Sequence, residues 1–508
     1  MPVEIRVRPI AYRPPAALPT SFHVALITPM CTVATKEARD PLRQIIEETK
    51  MTTRLLAEHV TTLDFERVPR PTRETAKRLL LDGIGCLIAG TRGQPAAAAS
   101  AYAARLQANK ASQSTMLITD ELVSVRDAAF VNGVTLYSIG VNDIHKNSCS
   151  HPGACVIPAL LATAEWLHCP GREMIAAMIG SYDVIGRLGR ATMPSHRARG
   201  FHATGTYGTF GAAAAAGRLL GLDAEAMASA FGVAGSQAAG LVSFQTDGAL
   251  TMIFHAGRSA QNGVEACLVA EAGIDGPRTV MEDPRGGFIY ATSDEPDPLA
   301  LSRALGVTFD VDDTSFRPFY GCTYTIAASS AAAQIVRRSD DRKAEDIAQV
   351  KVRCHSHVQS EVDDVDPRTL LAARLSMQFN IALVLTRGEV VVGDVTDRDL
   401  WDPDIRNLLP AVVFELDDSL THWASEVFVQ FKDGAIESAL VCSPKGDPAN
   451  SMNWDDTIHK FRQLLAPVAR ESRLEEVIRL VRDIEAANGP ELMEAVRLAA
   501  HDKEARIA

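Results

Sequence analysis

The sequence predicts a mainly α protein, a large all-helical domain with a smaller α+β domain. Three observations carry this expectation. From about residue 51 to 305 apolar side chains recur three and four positions apart, the period of a helix that buries one face. From about 306 to 445 the period changes, and two segments alternate in the manner of half-buried strands. The tail, 446–508, is helical again and packs most economically on the first block. A length of 508 residues suits two to three domains. The helical domain is therefore read as discontinuous: 51–305 and 446–508, with 306–445 inserted between them.

Taken in order, Pro71 and Thr72 precede the helical run RETAKRLLLDGIGCLIAGTRG, which Gly93 closes. HPGACVIPALLATAEWLHC, MIAAMIGSYDVIGRLG, GTFGAAAAAGRLLGL and DAEAMASAFGVAGSQAAGL follow the same rule. Their Ala and Gly let helix axes approach closely, so GAAAAAG reads as packing, not as a functional motif. In the second block IAQVKVRCHSH and EVFVQFKDGAIESALVC alternate, and Asp433-Gly434 is a hairpin turn signal. TIAASSAAAQIVRR and LLAARLSMQFNIALVLTRG lie between them as helices. The tail contributes DDTIHKFRQLLAPV, SRLEEVIRLVRDIEAA and ELMEAVRLAAHDKEAR.

Composition excludes several classes. A net charge of −12 with no Lys/Arg block argues against nucleic acid and against an anionic membrane surface. No stretch of ~20 apolar residues is free of charge and Pro, so no membrane span is expected. The nine cysteines are scattered without a Cys-x-x-Cys, which points to a reducing, cytoplasmic setting and away from structural zinc or an iron–sulfur centre. No metal and no cofactor are expected. Residues 5–36 lack acids and contain several Pro, a composition that suits a flexible 1–50 extension better than a signal peptide.

Four stretches place polar residues where a structural helix has no use for them. VNDIHKNSCSHPGA brings Asp143, His145 and His151 to a loop that enters a helix at Pro152. Free N–H groups at such an entrance attract anions, and an imidazole beside them could meet a carboxylate. RARGFHATGTYGTFGAA sets His202 among glycines, with Thr204 and Tyr207 beside it. Its glycine spacing follows no strand and is too loose for a dinucleotide fingerprint. In QTDGALTMIFHAGRSAQNG, His255, Arg258 and Gln261 share a helix face, natural beside an anionic ligand. FRPFYGCTY offers Arg317 and Tyr320 from the second domain across a cleft.

HPGACVIPALLATAEW, GFHATGTYGTFGAAAAAGRLLGL, FHAGRSAQNG and EDPRGGF together resemble the MmgE/PrpD family, over about residues 52–485. The resemblance implies a helical domain from both ends of the chain, an α+β lid between them, and a homodimer. It also implies cofactor-free acid/base chemistry on small di- or tricarboxylates. The family's two active-site histidines map to His151 and His202, and an Asp and His of its Asp-Asp-Thr-His segment to Asp143 and His145. By the same register, polar family positions fall on Gly140, Ile144, Met252, Phe319 and Ile326. Losing a charge-assisted contact removes roughly 1.5–3 kcal/mol, so the substrate is expected to carry fewer carboxylates than 2-methylcitrate, or an apolar chain.

The expected chemistry is a lyase reaction. One imidazole removes a proton next to a carboxylate and the other protonates the leaving hydroxyl, roles that suit an unperturbed pKa near ~6.5. His151 and His202 are the candidate catalytic residues. Arg258 and Arg317 would hold carboxylates, with Asp143, His145, Thr204, Tyr207, His255 and Tyr320 also contributing to binding. A dehydratase is the first expectation. A decarboxylase, an epimerase or a binding-only paralogue are the alternatives.

Overall fold

In the computed structural model, residues 51–106, 113–338, 342–388 and 395–502 are described. The expected 1–50 extension lies outside them. The first helices are α1 (Thr52–Thr62), α2 (Arg70–Gly90), α3 (Gln94–Leu106), α4 (Val125–Ser138), α5 (Pro152–Leu167) and α6 (Gly171–Thr192). They continue with α7 (Ala203–Leu219), α8 (Ala224–Gly235) and α9 (Thr251–Glu271). The alternation of small and aliphatic residues buries α5, α6 and α7 nearly all round, and Ala212–Ala216 of α7 are fully buried. α9 packs on α7 and α4, while α7 also packs on α5 and α6. Where α4 crosses α9, a Cβ on Gly133 would lie 2.8 Å from the Gly257 Cα. Only glycines on both sides permit that approach. Helix α8 stops at Gly235, short of the periodic pattern, and residues 236–241 form the loop that borders His202.

Short strands stitch the helical part together: β1 (Ser114–Met116) pairs with β2 (Glu121–Val123), and β3 (Ile144–His145) with β4 (Thr314–Ser315), both antiparallel. The second pairing matters for function. It ties the chain entering the α+β part to the loop before α5, and brings Arg317 beside Asn142.

The α+β part is built on β5 (Ile347–Cys354), β6 (Val412–Leu416), β7 (Ser425–Phe431) and β8 (Ile436–Val441), in the order β6-β5-β7-β8. The expected hairpin forms between β7 and β8, with Gly434 at φ +88°. β6 runs parallel to β5, a strand that the sequence pattern did not announce. On one face Val350 and Val352 oppose Val429 and Val427, all buried. Helices α10 (Thr323–Arg338), α11 (Ser356–Val362), α12 (Leu370–Leu375) and α13 (Met377–Arg387) accompany the sheet. The single helix expected over 370–388 is broken at Ser376, whose extended backbone and hydroxyl cap the N–H of Phe379. An N-cap of this kind starts a new helix in place of continuing the old one.

The tail forms α14 (Trp454–Leu465), α15 (Glu471–Arg482) and α16 (Gly489–Ala500). α14 returns to α2, where the buried Lys460 ammonium meets Asp82 at 2.5 Å and the Val141 carbonyl at 2.7 Å. Among the described residues every cysteine is a free thiol, and no helix is long and apolar enough to cross a membrane. The fold is mainly α with a smaller α+β part.

Candidate active site

Two helix entrances converge on one cavity. His151 is the N-cap of α5 and His202 the N-cap of α7, and the helices pack side by side. Pro152 in the first turn of α5 needs no hydrogen-bond partner, so the chain can turn there and present the imidazole. Both rings line a cavity of about 110 Å³. The positive ends of two helix dipoles lie beside them, which favours anions and disfavours imidazolium.

The tautomer of His151 follows from its partner. Nδ1 lies 2.7 Å from the main-chain oxygen of Asp143, which can only accept, so Nδ1 carries the hydrogen and Nε2 keeps its lone pair. The His151 N–H donates to the Thr204 hydroxyl at 3.2 Å, and its ring rests on Tyr137 at 5.1 Å. Burial, reinforced by Arg317, holds this imidazole well below its ordinary pKa. His202 places Nδ1 3.0 Å from Nδ1 of His255, so one of the two nitrogens donates and the other accepts. Burial, then His255 and His151, push its pKa down as well. Both shifts favour the uncharged ring, the form in which an imidazole can accept a proton, whereas donating one requires the imidazolium.

The other residues singled out by sequence divide by position. Arg317 lines the cavity, with Nε on the Asn142 carbonyl at 2.6 Å and Nη2 on the Asn142 side chain at 3.2 Å. Asp143 is buried behind it and accepts from Gly153 N–H at 3.0 Å and from the Tyr182 hydroxyl at 2.8 Å. Its carboxylate fastens the start of α5 while its carbonyl aims His151. His145 points away, because alternation on β3 sends Ile144 to the cavity and His145 into the core against Asp310 and Ser148. Thr204 and Tyr207 lie inside the helical core, the Tyr207 hydroxyl pairing with Thr192 at 2.6 Å. The Tyr320 hydroxyl donates to the Leu370 carbonyl and so anchors α12. His255 and Arg258 do share a helix face, but it borders a neighbouring cavity of about 320 Å³, where Arg258 bonds Gln261 at 2.5 Å.

Sequence reasoning missed several lining residues. Arg374, at the end of α12, adds to Arg317 a guanidinium that the sequence reading did not expect. Arg197 lies in a quoted stretch but was not chosen, and Glu361 neutralises it at 2.6 Å. Tyr324 and Trp423 stack at 5.2 Å along one wall. An arginine in an otherwise apolar helix was the available signal for Arg374. Of the residues at which this chain departs from the resemblance, Gly140, Ile144 and Met252 all line the cavity. Phe319 borders a separate surface hollow and Ile326 is buried. One group of potential metal donors exists among the described residues, His145, Asp310 and Asp313. Arg190 already contacts both of its carboxylates.

The MmgE/PrpD N-terminal domain model matches residues 54–299 and the MmgE/PrpD C-terminal domain model matches 319–486. The chain belongs to the MmgE/PrpD family. Within the MmgE/PrpD family it is similar to a cis-aconitate decarboxylase of Aspergillus terreus, with 25% identity over 83% of this chain and 91% of that protein. It is also similar to the cis-aconitate decarboxylase of Homo sapiens, with 27% identity over 81% of this chain and 87% of the relative, and to that of Mus musculus at 25%.

Proposed function

We propose that the protein is a cofactor-independent lyase acting on a small polycarboxylic acid, and that decarboxylation is its reaction. The observation that carries this reading is the pairing of two imidazoles with guanidinium groups around one small cavity. Arg317 binds a retained carboxylate by charge-assisted hydrogen bonds and stabilises the enolate-like charge that develops next to it. Ile144, Met252 and Phe244 form an apolar wall. A carboxylate pressed against such a wall loses its hydration, which favours its departure as carbon dioxide. The negative charge of the bound substrate favours the imidazolium at one of the two rings; the electron pair left on carbon takes its proton, and solvent restores it. Similarity to proteins named as cis-aconitate decarboxylases supports the same reaction.

Dehydration stands as a second reading for one specific reason. The His151 tautomer leaves a lone pair on Nε2 facing the site, and a base is what removal of a proton alpha to a carboxylate requires. Carbon dioxide release from cis-aconitate, measured beside water loss from citrate and 2-methylcitrate, separates the two. Either His151→Ala or His202→Ala should lower turnover by at least ~100-fold. Near wild-type turnover in both variants would end the assignment. A homodimer and a cytoplasmic setting remain part of the proposal, to be tested by sedimentation and by fractionation.

A further inference from the structure

Arg374 stands where a side chain on its neighbour would stand. Gly140 closes α4 in the left-handed region at φ +71°, and a Cβ built there would fall 1.4 Å from Arg374 Nη1 and 2.3 Å from Cζ. Glycine is thus required twice over, for its backbone and for the space. The arginine is held for the purpose. Asn380 Nδ2 donates to the carbonyls of Ala373 and Arg374 at 3.2 Å and of Ser376 at 2.7 Å, fixing the last turn of α12. Nη1 reaches the Ile139 carbonyl at 3.3 Å.

Arg374 and Arg317 are 8% and 5% exposed and line the same cavity. Their hydrogen bonds go to Ile139 and Asn142, which are neutral, and neither forms an ion pair with a carboxylate among the described residues. Glu361, the acid in the lining, is committed to Arg197. Buried charges are paired as a rule, and an unpaired guanidinium couple in a cavity calls for an anionic ligand to complete it. We propose that Arg374, admitted by the missing side chain of Gly140, is a specificity-determining carboxylate anchor, and that the substrate presents two retained carboxylates to Arg317 and Arg374 with the rest of the molecule, the departing carboxylate included, toward Ile144 and Met252. This rests on the reading of the cavity as a carboxylate site and adds the number and placement of the charges.

The test compares a small branched diacid, methylsuccinate, with its monoamide by calorimetric binding, and measures cis-aconitate turnover beside it. The wild type should bind the diacid about 10- to 100-fold more tightly than the monoamide, the factor that a charge-assisted contact supplies. Arg374→Gln should abolish most of that preference and raise the KM for cis-aconitate more than it lowers kcat. Gly140→Ala should do the same while Arg374 is still present, and should add little to Arg374→Gln, a non-additivity that mere destabilisation would not produce. Thermal melts of each variant establish that it is folded. An undiminished diacid preference in Arg374→Gln overturns the proposal even if cis-aconitate is converted. A preference that depends on Arg374, without conversion of any acid, upholds the proposal and removes the lyase reading. Failure of the wild type to bind any carboxylate removes both.

Discussion

The main-chain carbonyl of Asp143 accepts a hydrogen from His151 Nδ1 across 2.7 Å while the Asp143 carboxylate holds the N-terminus of the helix that His151 caps. One residue therefore sets both the tautomer and the position of the imidazole without lining the cavity. Replacing Asp143 by Ala leaves the carbonyl but strands the Gly153 N–H and the Tyr182 hydroxyl in a buried setting. Chemical denaturation should show a loss of at least about 1–3 kcal/mol, the cost of one unsatisfied buried donor. kcat should fall with it, since the start of α5 carries the ring.

Acid should weaken the fold through its buried histidines. His151 and His202 are held well below their ordinary pKa, and burial takes His196 down to about 3. Unfolding returns each to about 6.5. Below that value the unfolded chain binds more protons than the native one, so stability is complete above pH ~6.5 and declines as pH falls, by about 1.4 kcal/mol per unit for each such group. Thermal melts between pH 7.5 and 5 should show this decline. His196 stands outside the site, bonding Thr206 at 2.9 Å, and His196→Gln should make the decline shallower.

The contact between His202 and His255 also has a pH signature. After burial, His255 is the largest influence holding the His202 pKa down. His255→Ala removes that influence, so His202 protonates at higher pH. The limb of the kcat/KM profile that His202 governs should move upward, toward the value of a free imidazole. A limb that stays in place would show that the two rings are not electrostatically linked.

The crossing of α4 and α9 should tolerate no added carbon. A Cβ on Gly257 would lie 2.5 Å from the Phe130 carbonyl oxygen and 2.6 Å from a methyl of Val134. Gly257→Ala should cost about 1–3 kcal/mol in urea denaturation, as overpacked cores do.

Much of this was legible in the residues. Helical periodicity located α2, α5 to α8 and the helices of the tail, and His-Pro-Gly and Gly-Phe-His placed both imidazoles at helix entrances. What stayed hidden depends on tertiary neighbours. Spacing put His255 and Arg258 on one face, but only packing decides that the face borders a neighbouring cavity, with His255 reaching back to His202. β6 is short and follows Leu-Pro, so its pairing comes from β5, not from its own pattern. Arg374 was concealed by reading 370–388 as one helix, since the break at Ser376 is a capping event written in a single hydroxyl. Gly140 and Met252 looked like losses in the linear sequence. In space they share a cavity with Arg374 and Ile144, where a gained cation and an apolar wall stand together.

The central claim is proton transfer by histidine next to a bound carboxylate. Proton NMR of cis-aconitate with the full-length protein in deuterium oxide tests it most directly. The account predicts a decarboxylated product with one deuterium at the carbon that took up the proton, formed at least ~100-fold more slowly with His151→Ala or His202→Ala. Product that forms at the wild-type rate in both variants would contradict it.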